Sequence, residues 1–222
     1  MLLYKFKSAQ DALYALDIAI HERMYCAPYH DLNDPFEGQF RTLIGDRDKG
    51  FGSLFTHGFG PQDTRIVYTG LDRMSLSGPS RVCSLSEQWR DVRMWALYAD
   101  SFRGMAFEFE IDAAEPELHQ VSYARELPKL DIGLLMPSET IDALTHKTDH
   151  WDYETEWRFI SDRKYIELPG RLRSILLGNR ITDAVREAVL KVAPSHTTVR
   201  MVDLDPAGIH MALGPELTRP HP

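Results

Sequence analysis

The sequence predicts a single α+β domain with a mixed, mainly antiparallel sheet and flanking helices. Three observations predict it. Apolar residues alternate with polar ones over several short segments, which is the period of strands lying on a core. Other segments place apolar residues three and four apart, the period of helices with one buried face. Strand-like and helix-like segments follow one another without a regular βαβ rhythm, so a doubly wound parallel sheet is not expected.

Taken in order, "LLYKF" near the start reads as a first strand. Residues 9–20 carry Ala12, Leu13, Leu16, Ala19 and Ile20 at helical spacing, with Ser8 placed to cap the helix. "RMYCAPYHDLNDPFEG" breaks regular structure at Pro28, at Asn33-Asp34-Pro35 and at Gly38, and residues 45–63 read as irregular. "RIVYTG" and "RVCSLSE" read as strands, the second with Cys83 and Leu85 on one face and Ser84 and Ser86 on the other. Residues 88–99 place Val92, Trp95, Ala96 and Ala99 on one helical stripe. "GMAFEFEI" turns Met105, Phe107, Phe109 and Ile111 inward, and "HQVSYA" is a short strand.

Ser138 opens a helix expected to run to about Lys147. "WDYETEWRFI" alternates from Tyr153, with Tyr, Thr, Trp and Phe at odd positions and Glu154, Glu156 and Arg158 at even ones. A strand with an aromatic face and a charged face is expected there. "SILLG" is a strand that breaks at Gly178 into a helix capped by Thr182. "TTVRMVDL" and "GIHMAL" are two strands turned at Asp205-Pro206-Ala207-Gly208. No break in composition divides residues 1–213, and 214–222 are expected to be a flexible tail.

Composition narrows the function classes. The chain has 222 residues and 43% apolar residues, enough for a sizeable core. A net charge of −8 gives no support to nucleic-acid binding by the molecule as a whole, although a local basic groove stays open. Cys26 and Cys83 lie far apart and form no C-x-x-C pair, which argues against a disulfide scaffold or a zinc ribbon. No apolar run reaches the roughly 20 residues of a membrane span, and the first residues lack the apolar core of a secretory signal. A soluble, cytoplasmic protein is the expectation.

Each candidate site has a plainer explanation beside it. The acids and base of Glu154-x-Glu156-x-Arg158 read first as a solvated strand face. The sharper reading is that a rigid strand holds one carboxylate against developing positive charge while the other orients a substrate. Ser84 and Ser86 either satisfy backbone groups or line a cleft, and no G-x-S-x-G pattern makes either a hydrolase nucleophile. Asn33-Asp34-Pro35-Phe36-Glu37 is first a turn, one that could aim Asp34 or Glu37 into a pocket. Met94, Trp95 and Tyr98 read more readily as core than as a stacking platform. His146 and His150 lack the glutamate of H-E-x-x-H, so no metal site is expected there, and a lone Gly178 is more often a turn than an anion cradle.

The segments "LYKF", "LNDPFEG", "CSLSE", "MWALYADSFRGMAFEFE", "VSY" and "WDYETEWRFI" together resemble the bacterial family called domain of unknown function 2971, over about residues 3–181. That family supplies no activity. The same order is similar to the ADP-ribosyltransferase superfamily, in which a basic residue on an early strand and a Ser-x-Ser strand precede a catalytic E-x-E. On that resemblance Ser84 and Ser86 form the serine strand, and Glu154 and Glu156 form the acid pair, with Glu156 catalytic. Lys5 stands where an Arg or His is expected. A lysine cannot form a bidentate fork, so Arg81 or Arg158 would take that part.

The resemblance further implies NAD as substrate, with Tyr4 or Tyr98 stacking on nicotinamide and Lys5, Arg158, Asn33 and Asp34 available to bind it. It also implies a role as a toxin or defence effector with an unidentified acceptor. Two other readings remain open. One is a non-catalytic module that binds nucleic acid or a protein partner. The other is a metal-dependent nuclease using Asp34, Glu37, Glu154 and Glu156.

Overall fold

The fold is described from a computed structural model, over residues 1–44, 65–71, 80–130, 137–205, 207 and 210–219. Its elements in chain order are β1 (Leu2–Lys7), α1 (Ala12–His21), β2 (Arg23–Tyr25), β3 (Ala27–Pro28), β4 (Gln39–Ile44), β5 (Arg65–Gly70), β6 (Arg81–Ser86), α2 (Val92–Tyr98) and β7 (Met105–Glu110). There follow β8 (Leu118–Gln120), β9 (Ser122–Ala124), α3 (Pro137–Leu144), β10 (His146–Thr148), β11 (Glu156–Ser161), β12 (Tyr165–Glu167), β13 (Leu172–Leu177), α4 (Asp183–Val192), β14 (Thr198–Leu204) and β15 (Met211–Glu216).

The fold class is α+β. One sheet runs in the order β15-β14-β13-β7-β1-β6-β11-β8, with β3 alongside β6. All its pairs are antiparallel except β13–β14. That parallel pair is the one joined through a helix, α4, because parallel neighbours need a crossover. Three two-stranded ribbons, β9–β10, β2–β12 and β4–β5, lie outside the sheet.

Period-two alternation puts a different core on each face of the sheet. Leu3, Cys83, Leu85, Met105, Phe107, Phe109 and Phe159 pack with Ala15, Ile18 and Ala19 of α1 and with Val189 and Leu190 of α4. On the opposite face Tyr4, Phe6, Ala106, Leu176 and Val202 pack with Met94, Trp95 and Ala99 around α2. Further along that second face, Val82 and Ile160 pack with Phe40, Leu71, Ala143 and Leu144. The second face is therefore apolar at both ends. Polar residues of β6 and β11 occupy the interval.

Several expectations are corrected. The buried stripe of α2 is Met94, Trp95 and Ala99; Val92 and Ala96 are exposed. Asp91 caps this helix by accepting from the Arg93 N–H at 2.8 Å, which sets its rotation and puts positions 94, 95 and 98 inward. "HQVSYA" divides into β8 at the sheet edge and β9 in a separate ribbon. Ser138 lies inside the first turn of α3, and Lys147 belongs to β10 rather than to that helix. Ser8 caps as expected, accepting from the Gln10 N–H at 3.0 Å, although the turn it caps is a short 3-10 helix leading into α1.

Gly178 is explained by close approach. A Cβ there would lie 2.2 Å from the Phe102 carbonyl oxygen, and the Gly178 N–H donates to the Gly104 carbonyl at 2.9 Å. Residues of the expected tail are held in part, through β15 and Arg219. β15 extends to Glu216, and the Arg219 guanidinium donates to the carbonyls of Ala193, Pro194 and Thr197. Residues 45–63 and most of the 205–208 turn fall outside the described residues. Among the described residues, no helix is long and apolar enough to cross a membrane.

Candidate functional site

Register brings the polar residues together. Glu156 of β11 lies opposite Ser86 of β6, Arg158 opposite Ser84, and Tyr4 of β1 opposite Ser86 on the other side. Even-numbered positions of all three strands therefore share one face. Glu156, Arg158, Ser84 and Ser86 line a cavity of about 370 Å³, roofed in part by Met94, Leu97 and Tyr98 of the α2 region.

The cavity has a backbone cause. β1 forms six register pairs with β7 but only one, Tyr4–Ser86, with β6. Beyond that rung the two strands part, and β3 takes up the same edge of β6 at Val82 and Arg81. Lys5, Phe6 and Lys7 then line the cavity from one side, and Ser84 to Ser86 line it from the other. The Lys5 ammonium donates to the Ser84 carbonyl at 2.8 Å, satisfying an acceptor that the separated strand leaves without a ladder partner.

The strand expected from Tyr153 begins instead at Glu156. Asp149–Glu154 is a 3-10 turn, and Thr155 closes it in the left-handed region at φ 41°, ψ 54°. That conformation is unfavourable for a β-branched residue. Its effect is to break the alternation between Glu154 and Glu156, so Glu154 reaches the site from a turn rather than from the sheet. Tyr153 correspondingly packs with the α2 cluster, while Trp157 and Phe159 belong to the opposite core.

The two carboxylates are bridged by a residue that the sequence reading did not single out. The Lys147 Nζ lies 2.5 Å from Glu154 Oε2 and 2.9 Å from Glu156 Oε2, and all three side chains are almost wholly buried. Arg158 continues the chain of charges. Its guanidinium donates to Glu156 at 2.8 and 3.1 Å, to both oxygens of Glu37 at 2.5 and 2.8 Å, and to the Leu144 carbonyl. The plain expectation of a solvated strand face is thus overturned: Glu156 is 3% exposed and Arg158 1%. Three carboxylates, Glu37, Glu154 and Glu156, share two cations, Lys147 and Arg158.

The environment separates the acidities of the pair. Burial raises the Glu154 carboxyl above its ordinary value, and neighbouring Glu156 adds to this against the pull of Lys147. Burial also opposes ionisation of Glu156, but Arg158 and Lys147 outweigh it and hold that carboxyl well below the usual range. The Lys147 ammonium is lowered by burial and raised more by Glu156 and Glu154, so it keeps its proton. Glu37 is raised, chiefly by burial. The surroundings therefore drive the two pKa values apart, Glu156 downward and Glu154 upward.

The remaining candidates divide. Tyr98 donates to Glu154 at 2.5 Å and accepts from the Asn33 side-chain amide at 2.8 Å, so all three join at the cavity wall. Tyr4 also lines the cavity, but its hydroxyl donates to Glu108 at 2.6 Å. Ser86 donates to the Glu154 carbonyl at 2.6 Å and accepts from the Gln88 N–H at 2.9 Å, which fixes the backbone of the acid. Ser84 lies beside this pair, opposite Arg158, and its hydroxyl helps hold the Glu156 carboxyl low. Asp34 remains within its own turn, where Oδ1 accepts from the Phe36 N–H at 2.9 Å.

Lys147 and Glu37 complete the cluster, and Tyr123 supports it by accepting from the Glu156 N–H at 2.8 Å. Lys147 was hidden at the end of an expected helix. Glu37 carried a signal in N-D-P-F-E, although the structure pairs it with Arg158. Among the described residues, no group of three or more His, Cys, Asp or Glu is arranged to hold a metal ion. Lys147 lies between Glu154 and Glu156, and Arg158 between Glu156 and Glu37, where a bridging cation would sit. No family model, no curated protein and no solved structure matches this chain.

Proposed function

We propose that the cavity binds an NAD-type dinucleotide and cleaves its nicotinamide–ribose bond, transferring the ribosyl group to water or to an acceptor. The observation that carries this reading is the Glu154–Lys147–Glu156 bridge on the wall of a hydroxyl-lined cavity. Departure of nicotinamide takes the bonding electron pair to the ring nitrogen and leaves cationic character on the ribose carbon, as in glycoside cleavage. An anion held rigidly nearby favours that state over the ground state.

In this reading Glu156 is the fixed anion. Glu154 accepts the proton of the attacking nucleophile, with Tyr98 and Lys147 orienting it. Ser84 steadies Glu156, and Ser86 steadies the backbone of Glu154. When ionised, the three carboxylates outnumber the two cations and favour a cationic transition state, although Lys147 and Arg158 screen much of the field.

The test follows nicotinamide release from NAD by the intact protein, with and without cell extract as a source of acceptor. Glu156→Gln should lower kcat by about two orders of magnitude or more. Ser84→Ala, a milder change, should lower kcat by about tenfold with little change in unfolding temperature. Absence of release from the folded wild-type protein in both settings would overturn the assignment, as would release indifferent to Glu156→Gln. A second reading is favoured by the pairing of every acid in the cluster: a non-catalytic partner-binding module in which the charges serve specificity of fold. It requires NAD to be inert under all these conditions.

A further inference from the structure

Cys26 and Cys83 lie far apart in the sequence, yet the fold sets them side by side. β3 runs antiparallel to β6 with Ala27 opposite Val82 and Pro28 opposite Arg81, and one step back along that register Cys26 stands opposite Cys83. Antiparallel strands exchange hydrogen bonds only at every second rung. The Tyr29 N–H donates to the Ser80 carbonyl at 3.0 Å, so Tyr29–Ser80 and Ala27–Val82 are the hydrogen-bonded rungs. Cys26–Cys83 is then a rung without them, and the Cys26 N–H accordingly donates away from β6, to the Lys164 carbonyl at 2.9 Å. Such a rung brings Cα atoms to roughly 4.5 Å with the side chains close, inside the roughly 4.4–6.8 Å that a disulfide spans. Both thiols are free, wholly buried and part of the same core cluster. We propose that Cys26 and Cys83 form a dithiol site that reduces a hydroperoxide and closes as a disulfide. This proposal does not depend on the NAD reading.

The surroundings select the oxidant and assign the roles. Burial shuts out bulky disulfide reagents. A water-sized peroxide has a route where β1 parts from β6, because Lys5 and Lys7 on one strand and Ser84 and Leu85 on the other, next to Cys83, line the cavity. Cys26 is the first influence holding the Cys83 thiol low, and Lys5 and Lys7 add to it against burial. The Cys26 thiol is raised, first by Cys83 and then by burial. Cys83 is thus the attacking thiolate and Cys26 the resolving thiol. In the first step the Cys83 sulfur bonds to one peroxide oxygen, the O–O bond breaks, and the departing oxygen takes a proton and leaves as water or an alcohol. In the second the Cys26 sulfur bonds to the Cys83 sulfur, and the sulfenic hydroxyl leaves as water with the Cys26 proton. Two electrons pass from the thiols to the peroxide. The chain after Cys26 leads to Leu32 and Asn33 on the cavity wall, and β6 carries Ser84 and Ser86, so closure fastens two sides of the charged cavity together.

The experiment treats the intact, folded protein with hydrogen peroxide, removes the excess, denatures the protein in iodoacetamide to cap remaining thiols, and reads the peptides by mass spectrometry. Both cysteines should escape capping within one Cys26–Cys83 linked product, and dithiothreitol should restore both thiols. Oxidised glutathione at the same concentration should act at least about tenfold more slowly. In Cys26→Ala, dimedone should trap Cys83 as a sulfenic acid, and in Cys83→Ala the trapping of Cys26 should be about tenfold weaker. Thiols still capped after peroxide, oxidation of each cysteine without linkage, linkage only between molecules, or glutathione matching peroxide would overturn the proposal. The wild-type measurement decides this even where a variant fails to fold.

Discussion

Replacing Arg158 by methionine is the most direct test of the buried charge cluster. The side chain is 1% exposed and makes five hydrogen bonds, to Glu37, Glu156 and the Leu144 carbonyl. Methionine fills much of the space without any donor. Glu156 would keep Lys147 at 2.9 Å, whereas Glu37 would have no ion-pair partner among the described residues. Removing one member of a buried pair typically costs about 3–5 kcal/mol. Glu37 is already raised by burial and can take up a proton, which places the expected cost near the lower end, about 3 kcal/mol. For a domain of this size that lowers the melting temperature by about 6–12 °C.

Urea unfolding of the wild type, Arg158→Met, Glu37→Gln and the double variant closes a thermodynamic cycle. The coupling should be about 1–3 kcal/mol, so the double variant should be more stable than the sum of the single changes implies. A loss below about 1 kcal/mol for Arg158→Met would refute the reasoning, because only a solvated pair is worth so little.

Two further outcomes follow from the site and the fold. Glu154 must be ionised to accept a proton and its carboxyl is raised, so the acid limb of the proposed activity should lie above the ordinary glutamate value of 4.5; a limb at or below it would exclude Glu154 as the base. Glu156 works in the opposite sense for stability: its lowered carboxyl contributes fully above 4.5, and that contribution is lost as pH falls toward its folded-state value, which acid titration of the unfolding free energy would show as a decline absent from Glu156→Gln. Gly178→Ala should destabilise by about 2–3 kcal/mol, because the added methyl meets the Phe102 backbone rather than a movable side chain; a neutral result in thermal unfolding would show that this turn can yield.

The strands were legible where alternation was uninterrupted. Met105, Phe107 and Phe109 on β7, and Cys83 and Leu85 on β6, face the core that their spacing implies. The same alternation misled at Tyr153, because a left-handed Thr155 shifts the phase of side chains without altering the pattern of letters. Glu156, Ser84 and Ser86 could be grouped from sequence because each sits on a regular strand. Lys147 could not, since its burial depends on β10 pairing with β9. Lys5 shows the limit of motif order as a guide, for its ammonium serves a carbonyl of the neighbouring strand.

The single Tyr4–Ser86 rung between β1 and β6 makes the sheet behave like two leaves of a book bound by one stitch. One leaf carries β7, β13, β14 and β15, and the other carries β11 and β8. A molecule wedged between the leaves touches both, so its arrival is felt along the spine as well as at the acids. Slower amide exchange along Lys5–Lys7 would report occupancy, even for a guest that undergoes no chemistry.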